Sequence, residues 1–177
     1  MASSDEPEIL LQTRRFDVVR QSYVTADGRR HTREIVRHPG AVTILPLLSD
    51  GRICLIRNYR AAVGRTLIEL PAGTLEPAED PAETARRELQ EETGYSAGAV
   101  TKLCDFFMSP GILRERMVVF LATDLTPGEP RLESGEQIEP LLVTWAEAIK
   151  LVATGQIEDA KTLAALLWYD RFRRERP

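Results

Sequence analysis

The chain has 177 residues, 43% of them hydrophobic and 28% charged, with a formal net charge of −4. That length supports one well-filled core, and the composition is ordinary for a soluble globular protein. The acidic balance excludes a global attraction to nucleic acid or to an acidic membrane surface, so an anionic ligand must be held locally, by arginines or a metal. No apolar run approaches the length of a membrane span. The start, Met1-Ala2-Ser3-Ser4-Asp5-Glu6-Pro7-Glu8, is polar and acidic, unlike a secretory signal. Cys54 and Cys104 lie far apart in apolar stretches without metal-type spacing. They read as buried free thiols of a cytoplasmic protein.

The first forty residues predict a β-meander. Leu11 to Arg15 and Phe16 to Val24 carry alternating apolar positions, Asp27-Gly28 signals a turn, and Arg29 to Val36 returns. Ala41 to Leu48 and Ile53 to Ile56 flank Ser49-Asp50-Gly51, a second hairpin signal, with Pro46 arguing for an edge or bulged position. A short strand, Thr66 to Leu70, ends at Pro71-Ala72-Gly73. A helix follows, with Asp80 as N-cap, Pro81 in the first position, Glu83 placed for a capping box and Gly94 as terminator. Strands are expected over Val100 to Met108 and Met117 to Thr123, separated by the Ser109–Arg116 loop. A polar stretch, Leu125 to Glu136, leads to a strand at Ile138 to Thr144. Helices over Trp145 to Thr154 and Asp159 to Phe172 close the chain. The pattern is α+β.

Chemistry concentrates in the middle helix. Glu88 shares a face with Glu91 and Glu92, three and four residues on. Like charges at that spacing destabilise an isolated helix by about 0.2–0.5 kcal/mol per pair. A hard divalent cation, which takes oxygen ligands, turns that repulsion into coordination. The alternative is a solvated acidic face. Against it, Ala82, Ala85 and Leu89 form an apolar stripe that fixes the helix orientation. Arg87 is within reach of Glu83 and Glu91, and Glu79 in the preceding loop is placed to brace it.

Gly73, Glu79, Arg87, Glu88, Glu91, Glu92 and Gly94 resemble, in identity and spacing, the signature of the Nudix hydrolases. Tyr95 departs from the aliphatic residue usual there, and still packs. The resemblance implies the Nudix fold, a mixed sheet sandwiched between helices, here with an N-terminal antiparallel meander. It implies Mg²⁺-dependent attack of water on a diphosphate, with Mn²⁺ able to substitute. It implies metal ligation by Glu88, Glu92 and the Ala72 carbonyl, with Glu91 touching the metal or its waters, and structural support from Gly73, Glu79 and Arg87.

The flanks carry the substrate. Glu69-Leu70-Pro71-Ala72-Gly73, Arg57-Asn58-Tyr59-Arg60, Ser109-Pro110-Gly111 with Glu115, and Arg33-Glu34-Ile35-Val36 with His38-Pro39-Gly40 resemble the ADP-ribose pyrophosphatase branch. Arg33, Arg57 and Arg60 are planar donors suited to phosphate or an adenine face, with surface ion pairs as the alternative. Glu34 is suited equally to an adenine amine or a cross-strand pair. Ser109 and Gly111 belong to the substrate loop. Glu115 is suited to ribose hydroxyls, or to pairing with Arg114 or Arg116. Tyr23 and Phe16 can stack on a base, though packing suits both better. In related enzymes the general base comes from an acidic loop beyond the box, here Leu132 to Glu139; Glu136 aligns best and Glu133 is in reserve, with Glu91 within the box. His31 and His38 read as structural.

The implied activity is hydrolysis of ADP-ribose to AMP and ribose 5-phosphate. The alternatives are a GDP-mannose or other nucleoside-diphosphate-sugar pyrophosphatase and, further off, a non-catalytic ADP-ribose sensor. Residues 1–40 are expected to be a dimerisation and substrate-completing extension of a hydrolase domain at 41–177. In this branch such strands pair across a two-fold, so a homodimer is expected.

Overall fold

The computed structural model describes residues 6–174. Its N-terminal meander is built on local turn chemistry. Strands β1 (Glu8–Gln12), β2 (Asp17–Val24) and β3 (Arg30–Arg37) pair antiparallel in sequence order. Between β1 and β2 the Thr13 hydroxyl accepts from the Arg15 and Phe16 amides and donates to the Phe16 carbonyl. Those bonds compete with strand pairing, so the first strand ends at Gln12 rather than running to Arg15. Gly28, at φ 79°, makes the second turn, with its amide on the Thr25 carbonyl.

The central sheet joins β4 (Ala41–Pro46), β7 (Ala72–Thr74), β8 (Ser96–Phe107) and β10 (Arg116–Thr126) in the order β7-β4-β10-β8. It is mixed: β4 runs parallel to β10, and the other pairs are antiparallel. A third sheet, β11-β5-β6, comprises β5 (Ile53–Arg60), β6 (Arg65–Glu69) and β11 (Ile138–Val143). The two-residue strand β9 (Leu113–Arg114) adds to β3. The hairpin expected around Asp50-Gly51 shrinks to a single bridge, Leu47 with Ile53, after which β4 and β5 enter different sheets. The reason is that β10 and β7 already occupy the edges of β4. Past Thr43, where β7 stops, β4 keeps only β10 as sheet neighbour, so Pro46 has no second ladder to break.

Period-two alternation sends β4 and β10 side chains to two cores. Val42, Ile44, Val118, Phe120 and Ala122 face Ala85 and Leu89 of α1 (Pro81–Thr93). Leu45 and Val119 face the opposite core with Trp145, Ala148, Ala165, Leu166 and Tyr169, from α2 (Trp145–Ala153) and α3 (Ala160–Phe172). The mixed sheet thus lies between helices, as an α+β sandwich.

Helix α1 starts where Asp80 Oδ1 accepts from the Ala82 amide at 2.9 Å, with Pro81 at its head. The capping box expected with Glu83 does not form; Glu83 turns outward to Arg86 at 3.6 Å. A capping box forms instead at α2, where Thr144 and Glu147 satisfy each other's backbone. Gly94 ends α1 at φ 80°, and a Cβ there would lie 2.4 Å from the Gly128 carbonyl oxygen. That contact, with the Arg131 amide on the Glu91 carbonyl at 2.8 Å, lays the acidic 132–139 loop beside the helix end. Among the described residues no helix is long and apolar enough to cross a membrane.

Candidate active site

The stretch Leu70-Pro71-Ala72-Gly73 forms the floor of the site. Pro71's carbonyl accepts from the Ile44 amide at 2.9 Å and from the Thr43 hydroxyl at 3.2 Å, fixing the chain against β4. The next amide, of Ala72, donates to Glu92 Oε2 at 2.9 Å. Gly73 passes so close to α1 that a Cβ there would fall 1.9 Å from Glu88 Cδ. Glycine is required here by close approach, not by backbone conformation.

Glu92 is 3% exposed and Glu88 is largely buried. Burial pushes the Glu92 carboxyl up to about 8; the Ala72 amide and Arg60 oppose the rise, while Glu88 and Glu136 add to it. Burial likewise pushes Glu88 up to about 7, against the pull of Arg87, with Glu91 and Glu136 adding. Arg87 donates through Nη1 to Glu88 at 2.8 Å and Glu91 at 3.1 Å, and through Nε and Nη2 to Glu79 at 3.3 and 3.2 Å. Its guanidinium holds the Glu79 carboxyl below the usual carboxylate range.

Among the described residues, no group of three His, Cys, Asp or Glu side chains stands in ready ligand geometry; Arg87 ties the facing oxygens of Glu88 and Glu91. The donor chemistry nonetheless fits a hard divalent cation. Burial holds protons on the Glu88 and Glu92 carboxyls near neutrality, and neighbouring carboxylates add to the rise. A cation supplies positive charge to an all-oxygen set completed by the Ala72 carbonyl.

The other sequence-selected residues divide. Glu136 lies close enough to raise both Glu88 and Glu92, and its Oε2 accepts from the Glu133 amide at 2.8 Å. Glu133 is exposed and helps to shape that turn. Arg60 grips Glu69 with Nε and Nη2, at 2.8 and 2.6 Å, within the field of Glu92. Arg57, exposed on β5, stands opposite Glu139 of β11. Arg33 and Gly111 line one cavity of about 550 Å³ with Tyr23 and Phe107. Neither this cavity nor a neighbouring one of about 630 Å³, rich in arginine, includes the α1 carboxylates. Glu34 pairs across the strands with Arg20 at 3.0 Å. The Ser109 carbonyl closes a turn by accepting from Ile112 and Leu113. Glu115 pairs with neither arginine but approaches His38 Nδ1 at 3.7 Å; Arg116 goes instead to Asp105. His38 Nδ1 accepts from the Gly40 amide at 3.1 Å, which bends the chain into β4. Glu69 and Lys161 are also buried, and the signal the sequence offers for each is no more than a charge beside an apolar run.

A mixed sheet thus lies between helices, with buried glutamates on one helix facing a glycine-bearing floor. The family model for the NUDIX domain matches residues 37–166, and the chain belongs to the Nudix hydrolases. It is 44% identical over 142 residues to an ADP-ribose pyrophosphatase of Bacillus subtilis (strain 168), covering 79% of this chain and 77% of the relative. It is 35% identical over 160 residues to a GDP-mannose pyrophosphatase of Escherichia coli O1:K1 / APEC, covering 81% and 83%. A crystal structure of an ADP compounds hydrolase superposes with a TM-score of 0.79 at 25% identity, over 97% of this chain and 96% of that one.

Proposed function

We propose that the protein hydrolyses ADP-ribose to AMP and ribose 5-phosphate with Mg²⁺, and that Mn²⁺ can substitute. The observation that carries the reading is the pair of buried carboxyls, Glu88 and Glu92, against the Ala72–Gly73 floor. Similarity to an ADP-ribose pyrophosphatase supplies the substrate.

Diphosphate linkages resist water because their oxygens repel a nucleophile; bound Mg²⁺ neutralises that charge and acidifies a water. Glu88, Glu92 and the Ala72 carbonyl would hold the metal, with Glu91 toward its waters. Arg87 and Glu79 brace the carboxylate face. Arg60 offers its remaining N–H donors to a phosphate oxygen. Glu136, on a loop with Gly135 at φ 94°, takes the proton from the attacking water, with Glu133 as the reserve.

Arg33, Glu34, Arg57, Ser109, Gly111 and Glu115 form the nucleoside and ribose side. The cavity holding Arg33 excludes α1, which favours completion of each site by residues 1–40 of a partner in a homodimer, with 41–177 as the hydrolase domain. Exposed Ile9, Leu10 and Leu11 on β1 suit such an interface. The compartment is the cytoplasm.

A second reading, GDP-mannose hydrolysis, is favoured by the 35% identical relative. Purified protein with Mg²⁺ is expected to release AMP from ADP-ribose faster than GMP from GDP-mannose. The reverse order transfers the assignment to GDP-mannose.

A further inference from the structure

A second buried charge cluster adjoins the acidic face. Glu69 ends β6 with its side chain fully buried. Arg60 holds it from one side, and Lys161, in the first turn of α3, donates to Glu69 Oε2 at 2.6 Å from the other. Lys161 is 6% exposed, and its ammonium also meets Asp159 Oδ2 at 2.9 Å. Asp159 caps α3, accepting from the Thr162 amide at 3.0 Å and hydroxyl at 2.5 Å. The Thr162 oxygen accepts from the Leu70 amide at 2.8 Å. One helix start therefore grips both the floor of the active site and the carboxylate that holds Arg60.

Stability alone does not account for a lysine here. Replacing buried ion pairs by apolar residues of similar volume is often neutral or stabilising. Geometry suggests another use. Of the four charged groups, Arg60 alone is substantially exposed, at 41% of its side chain. It spends Nε and one Nη2 hydrogen on Glu69, leaving three N–H donors. Glu69 alone would neutralise Arg60. Lys161 and Asp159 add one charge of each sign, so the four-group cluster is balanced, and what Lys161 contributes to Arg60 is position, through the Glu69 Oε2 atom that both cations share. Burial pushes the Glu69 carboxyl up, but Arg60 and Lys161 together hold it below its usual range, so it stays ionised between them.

We infer that Lys161 is a positioning residue: through Glu69 it fixes the Arg60 guanidinium beside Glu92, with its remaining N–H donors held for a diphosphate oxygen of the substrate. The inference rests on the diphosphate-hydrolase reading above. Removing Lys161 loosens Arg60 without touching substrate, so the loss falls on binding rather than on the chemical step.

The test is a kinetic cycle on ADP-ribose with Mg²⁺, using Lys161→Met, Arg60→Gln and the double variant, each checked for folding by circular dichroism. Lys161→Met is expected to raise KM on the order of tenfold with kcat within about twofold. Lys161→Arg should recover most of the loss. In the Arg60→Gln background, Lys161→Met should shift KM by less than about twofold. Unchanged KM in Lys161→Met, or the full increase repeated without Arg60, overturns the inference. Should Lys161→Met not fold, Lys161→Gln, which keeps a donor to Glu69, must show the same dependence on Arg60. Wild-type protein that leaves both ADP-ribose and GDP-mannose intact overturns the hydrolase reading and this inference together. Active wild type with unaffected Lys161 variants overturns the inference alone.

Discussion

At Gly73 a single methyl group reaches the chemistry directly. The obstacle a Cβ would meet is the end of the Glu88 side chain, so the carboxylate moves and the backbone stays. Gly73→Ala should lower kcat/KM by about 10²-fold, the scale of a misplacement of about 1 Å, while changing stability by about 1 kcal/mol or less. Steady-state kinetics beside a urea melt separates the two; near-wild-type activity would count against the close approach. Protons give a second handle on the same residues. In the metal-free fold Glu88 and Glu92 stay protonated to about 7 and about 8, against an ordinary 4.5. Between those values the folded state binds protons that the unfolded chain has released, so stability falls as pH rises and levels off above about 8. Melting temperatures in a chelator should therefore be lower at pH 8.5 than at pH 6, and a Glu88→Gln/Glu92→Gln variant should flatten that difference. An equal slope in both proteins would contradict the assignment.

Helix α1 carries the glutamates of the proposed metal site, and it is also the element most legible in the sequence. Its cap residues, its terminating glycine and its apolar stripe are all local signals, readable without knowing what packs on them. Leu89, fully buried between the sheet and the helix, converts that stripe into orientation. Leu89→Ala should cost about 2–5 kcal/mol in chemical denaturation. What the sequence misread depended on neighbours far along the chain. The turn at Asp50-Gly51 looks like a hairpin, but the partners of β4 come from β7 and β10. Ala72–Thr74 reads as loop and becomes strand because β4 offers it an edge. Glu83 has capping-box spacing yet pairs with Arg86, whereas the box at Thr144 and Glu147 went unread. The acidic loop is readable as the carrier of the proposed base only through the resemblance, which already ranks Glu136 before Glu133. Glu136 is felt at Glu88 and Glu92. Glu136→Gln should lower kcat by about 10²–10⁴-fold, and a variant with wild-type turnover would remove it from that role.

Across the whole molecule, the box residues converge on one floor while the nucleoside-side residues do not. Arg33 and Gly111 share a cavity, Arg60 sits by Glu92, Glu34 is engaged by Arg20, and Glu115 lies 3.7 Å from His38 Nδ1. Spacing within one helix fixes a face, but no spacing rule spans a strand meander and a distant loop, which is why that half of the site was legible only through resemblance. If a second copy completes it, gel filtration should give twice the mass of 19.9 kDa, and elution as a monomer would contradict that arrangement. The central claim is that Glu92 and its neighbours act through a divalent cation on a diphosphate. Turnover of ADP-ribose by wild-type and Glu92→Gln protein, each in Mg²⁺ and in chelator, tests it most directly. AMP should appear only for wild type with Mg²⁺, while both proteins keep the same circular dichroism spectrum. Comparable AMP release in chelator, or from the folded Glu92→Gln variant, would contradict it.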